Sequence, residues 1–142
     1  MKKHGSSIVI NASAENVYNY LADQMKQPEW LPGMIEVTDS TGNEVGDTFK
    51  WKYKMAGIML SGETTVEELV PNRRIATRSK GGASSYWVFD IKEEHGSTQL
   101  DLDIEYTLPV PVLGKIAEKA ILKRNQRETD MALQNIKEIL ES

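Results

Sequence analysis

The chain has 142 residues, 39% of them apolar and 27% charged, with a net charge of −4, a pI near 5.3 and no cysteine. That length fits one domain with a sizeable core, and the balance is globular rather than disordered or fibrous. The acidic excess argues against a nucleic-acid module, and the missing cysteines exclude disulfides, thiolate metal sites and cysteine nucleophiles.

The basic start, MKKHG, leads into only a short apolar run. Neither a signal peptide nor a membrane span is expected from it, and a cytoplasmic, soluble protein is. SSIVINA is rich in β-branched residues and predicts a first strand. Ser13 offers an N-cap and Glu15 a first-turn acid for a short helix whose apolar face holds Val17, Tyr20 and Leu21. In KQPEWLPGM, Pro28 and Pro32 allow one further helical turn between them.

From Met34 to Leu108 the dominant period is two. Six segments end at turn signals: Gly42 and Gly46, Gly57, Pro71-Asn72, Gly81-Gly82, His95-Gly96 and Pro109. They predict an antiparallel meander, which the first strand extends to seven. From Val112 to Leu140 the period is helical; roughly 28 residues at about 1.5 Å each exceed the length of any strand here. The expected fold is α+β: a curved antiparallel sheet around a long C-terminal helix, with two short helices between the first two strands.

FKWKYKM, residues 49–55, interleaves aromatic and basic residues as a single-stranded nucleic-acid groove does. On a strand, however, Phe49, Trp51, Tyr53 and Met55 share one face and Lys50, Lys52 and Lys54 the other, so rings and cations point apart. The lysines read as an outer, solvated row. Inner rows follow on the neighbours: Leu60, Gly62, Thr64, Val66 and Glu68; Ile75, Thr77 and Ser79; Ser85, Trp87, Phe89 and Ile91; Leu100, Leu102, Ile104, Tyr106 and Leu108. Projected at about 100° per residue, the long helix sets Leu113, Ala117, Ala120, Met131 and Asn135 on one side. Ile116, Ile121 and Ile139 flank that stripe, and Arg124 and Glu128 fall within it. Leu122, Leu133 and Leu140 fall on the back, where they would serve a homodimer contact.

SAENVYNYLADQMKQPEWLPGMIEV, VEELVPNRRIATRSKGG and LKRNQRETDMALQNIKEILE, in this order, resemble the START-like, helix-grip (SRPBCC) superfamily and its polyketide cyclase/dehydrase-like branch. The resemblance covers nearly the whole chain. It implies an internal cavity for a hydrophobic or amphipathic small molecule, lined by Trp51, Tyr53, Leu60, Trp87, Phe89, Ile104, Tyr106 and the helix around Ala120 and Arg124, with Trp30 and Met34 at the mouth. A dry void of roughly 300 Å³ would cost about 7 kcal/mol, so such a space should hold ligand, water or bulky side chains. Arg124 and Glu128 read either as an anchor for a ligand carboxylate or hydroxyl, or as an i,i+4 ion pair beside a solvated opening.

His4 and His95 have no metal-ligand spacing, and a strand spreads Asp101, Asp103 and Glu105 too widely for one calcium ion. No metal, cofactor or catalytic residue is expected. The leading expectation is a non-catalytic binding or carrier protein. A cyclase or dehydratase using Tyr53, Tyr106, Arg124 or Glu128 comes second. A protein-interaction or co-chaperone-like module, marked by a filled interior and a large exposed apolar patch, comes third.

Overall fold

Alternating apolar and polar residues form seven strands: β1 (Lys2–Ile10), β2 (Met34–Thr38), β3 (Thr48–Met55), β4 (Ile58–Val70), β5 (Arg74–Gly81), β6 (Ser85–Glu94) and β7 (Ser97–Tyr106). In this computed structural model, residues 2–55, 57–82, 84–107 and 114–142 are described, with all their side chains except those of Lys2 and residues 114–118. The strands make one antiparallel sheet in the order β1-β7-β6-β5-β4-β3-β2. β2 to β7 are the expected meander, and β1 closes on β7 at the far edge. β1 begins earlier than SSIVINA suggests, because pairing from Lys2–Tyr106 to Ile10–Thr98 carries polar residues into the strand.

Between the two edge strands run α1 (Ala14–Ala22), a 3-10 turn at Gln24–Lys26 and α2 (Gln27–Trp30); α3 spans Gly114–Glu141. Ser13 caps α1 by accepting from the Asn16 N–H at 3.1 Å. His95 and Gly96, at φ 53° and 83°, form the tight two-residue turn joining β6 to β7. The whole is the helix-grip arrangement expected. The expectations for Leu108 to Leu113 lie outside the described residues, as do those for the side chains of Ile116 and Ala117.

Two apolar clusters fill the concave side. The larger joins Ile10, Leu100 and Leu102 of the sheet to Val17 and Leu21 of α1, Trp30 of α2 and Ala132, Leu133 and Ile136 of α3. The smaller holds Val37, Phe49, Trp51 and Leu60 under β2, β3 and β4. The lysine row lies outside as expected, with Lys50 3.8 Å from Asp39 and Lys52 3.6 Å from Glu36. These exposed pairs stabilise by about 0–1 kcal/mol each.

Strict alternation fails at two bulges. Val66 pairs with Thr77 but Glu68 pairs with Ala76, so one extra residue, Glu67, shifts the phase of β4. Glu68, expected inside, therefore faces outward and meets Arg74 at 3.1 Å, while Leu69 packs on the core. A second shift between Met34 and Glu36 puts Met34 on Tyr53's face and leaves Ile35 53% exposed.

The phase of α3 also differs from the projection. Its buried positions are Asn125, Thr129, Ala132, Leu133 and Ile136, whereas Ala120, Arg124, Met131 and Ile139 are exposed. The projection follows apolar residues alone, and the upper half of the true track is polar. Leu133 is fully buried and so is not available to a dimer contact, and Leu122 and Leu140 are partly buried against the core.

Candidate functional site

Two glycines set the rings of β3. A Cβ on Gly62, directly across from Trp51, would lie within 3.0 Å of the indole; one on Gly33 would lie within 3.0 Å of the Tyr53 ring. Only glycine lets both rings rest on backbone here. Between the two apolar clusters remains a cavity of about 90 Å³. Leu31, Trp87, Ile104 and Tyr106 wall it on the side of the larger cluster, and Trp51 and Leu60 on the side of the smaller. Met34 and Tyr53 pack against both clusters, and Met55 against the smaller. Thr64, Thr77, Ser79 and Ser85 give the sheet floor its hydroxyls; Asn125, Glu128 and Thr129 come from α3, His4 from β1 and Gln27 from α2.

The Tyr53 hydroxyl donates to Glu128 Oε2 at 2.7 Å, and Arg124 Nε sits 3.7 Å from Glu128 Oε1. Burial and the hydrogen bond to Glu128 push the phenol's pKa well above the usual tyrosine value, with Arg124 pulling slightly back. Tyr53 is therefore a neutral donor. Thr129 Oγ1 gives its single proton to the Asn125 carbonyl at 2.9 Å, so His4 Nε2, 2.7 Å from that oxygen, must carry a hydrogen and donate it. Burial lowers the pKa of His4, against the pull of Asp130, and its ring meets Tyr106 edge-on at 5.3 Å. Thr64 and Ser79 hydroxyls bond each other at 2.5 Å.

Three buried polar atoms on lining residues have no hydrogen-bond partner among the described residues: Trp51 Nε1, Asn125 Oδ1 and Gln27 Oε1. An unpaired buried group costs about 1–3 kcal/mol. The Asn125 amide nitrogen reaches only the Met55 sulfur, at 4.0 Å. Among the described residues no cluster of three or more His, Asp or Glu side chains is placed to hold a metal ion.

Of the residues named from sequence, Met34, Trp51, Tyr53, Leu60, Trp87, Ile104, Tyr106 and Glu128 meet at this cavity. Trp30 does not form a mouth. It is 2% exposed, its ring packs edge-on against Phe89 at 5.7 Å, and its carbonyl accepts from Asn135. Phe89 lies behind it in the core, away from the cavity wall. Ala120 is exposed, and the Arg124 side chain is 60% exposed, because α3 turns its 125–129–132–136 track inward instead. Of the two readings of Arg124 and Glu128, the i,i+4 pair beside solvent fits Arg124, whereas Glu128 reaches the cavity. His4 was legible as the parity partner of Ile8 and Ile10. Asn125 and Thr129 were legible by stepping the Leu133 and Ile136 track backward. The floor hydroxyls already stood in the inner rows.

The model of the family described as polyketide cyclase/dehydrase and lipid transport matches residues 1–141. TTHA0849 from Thermus thermophilus superposes with a TM-score of 0.83 at 18% identity, over 96% of this chain and 95% of that one. A START superfamily protein from Mycobacterium smegmatis gives 0.75 at 20%, over 97% and 98%. The Zhui aromatase/cyclase from a Streptomyces species, strain R1128, gives 0.73 at 17%, over 95% and 93%. At these identities the likeness is one of fold. A search of curated protein sequences returns no significant match. The chain belongs to the polyketide cyclase/dehydrase and lipid transport family.

Proposed function

We propose that this protein binds or carries a hydrophobic or amphipathic small molecule in the cavity between the sheet and α3. The observation that carries the reading is a cavity between the two apolar clusters whose walls combine aromatic rings with hydroxyl, amide and carboxylate side chains. At about 24 cal/mol per Å³, leaving about 90 Å³ empty costs about 2 kcal/mol, which a domain of this size tolerates. The space is smaller than the roughly 150 Å³ that accommodates a benzene ring. Binding therefore moves the walls, and the flexible side chains of Met34 and Met55 are the ones best suited to yield.

A second reading, a cyclase or dehydratase, draws on the Tyr53–Glu128 hydrogen bond inside the cavity. The raised pKa makes Tyr53 a poor acid, so this reading rests proton transfer on Glu128 rather than on Tyr53. Native mass spectrometry of protein purified from its own host tests both. A small molecule retained unchanged supports carriage, and one released with altered mass after incubation supports catalysis. Protein that is always empty, with unchanged melting across a panel of lipids and polyketides, overturns both.

A further inference from the structure

We propose that the cavity selects an uncharged ligand, an apolar body bearing a carbonyl or hydroxyl, and turns away the matching carboxylate. The inference rests on the binding reading above. Among the described residues, Glu128 is the one acidic or basic side chain other than His4 that lines the cavity. The guanidinium that would receive an anion, Arg124, is absent from the wall and is turned to solvent beside Glu128. The Tyr53 proton is already committed to Glu128, and the proton on His4 Nε2 to Thr129. An arriving carboxylate thus meets an acid already paired with Arg124 and finds no free cation on the wall to receive it.

A cationic ligand is no better served. Both oxygens of Glu128 already have partners, Tyr53 and Arg124, so a second cation would be desolvated without a carboxylate of its own. Beside Gln27 Oε1, the lining residues leave two neutral atoms unmatched among the described residues, both closed off from the cavity surface in this arrangement: the indole N–H of Trp51, a donor, and Oδ1 of Asn125, an acceptor. Both residues are more than nine-tenths buried. A carbonyl suits the first and a hydroxyl the second, once the walls adjust to a ligand.

The test is calorimetric titration of the whole chain, near neutral pH, with 2-naphthol, 2-acetylnaphthalene and 2-naphthoate. A carboxylate taken out of water with no free cation to receive it should lose on the order of a hundred-fold against its neutral counterparts. The neutral pair should therefore bind, and naphthoate on the order of a hundred-fold more weakly. Glu128→Gln should narrow that gap to a few-fold, and Trp51→Phe should weaken the ketone by about ten-fold. Naphthoate binding as tightly as naphthol would overturn the selection and leave the binding reading standing. An unchanged gap in Glu128→Gln would overturn the role of that carboxylate. No binding of any of the three to folded protein would overturn the binding reading, and this inference with it.

Discussion

Tyr53 is held from two directions, by Gly33 under its ring and by Glu128 at its hydroxyl. Tyr53→Phe keeps the ring and removes the donor, so urea unfolding should show a loss of about 1 kcal/mol at unchanged m. An unchanged midpoint would mean the bond contributes nothing. Gly33→Ala drives a methyl into the ring and should cost about 1–3 kcal/mol. In a Tyr53→Ala background that cost should shrink to within about 0.5 kcal/mol, because the obstructing ring is gone. The same cost in both backgrounds would place the strain elsewhere.

The elements differ in how much of them a sequence discloses. Strand faces were legible wherever pairing is regular, as in FKWKYKM, which alternates without interruption. They failed where a bulge shifted the phase, as at Glu68, because nothing in VEELV marks which residue is extra. The long helix was legible in existence and extent but not in rotation. Its inward track carries Asn125 and Thr129 where the cavity stands and apolar residues only below it, so a hydrophobic projection turned it toward Met131. The same polar stretch is what places Glu128 at the cavity and Arg124 outside it. Rotation is testable by truncation. Leu133→Ala should cost about 2–5 kcal/mol and Met131→Ala less than about 0.5 kcal/mol in denaturant unfolding. The reverse ranking would restore the projected stripe.

At the scale of the molecule, His4 ties the first strand to the last helix across 125 residues of sequence. Its pKa is lowered in the folded state, so the unfolded chain takes up the proton first as pH falls. Its contribution to stability is therefore full above about pH 6.5 and is lost as pH drops through that value toward the lower folded one. Thermal melts between about pH 7.5 and 5.5 should show a steeper decline in wild type than in His4→Gln, and equal slopes would contradict the assignment. The central claim is that a small molecule enters the space between sheet and helix. The most direct test is a methyl-resolved NMR titration with 2-naphthol of wild type and of Thr77→Phe, whose ring would occupy the cavity from its floor. The account predicts shifts at Leu60, Ile104, Met34 and Met55 in wild type and their disappearance in Thr77→Phe. Shifts confined to exposed Val9 and Ile35, or identical titrations of the two proteins, would contradict it.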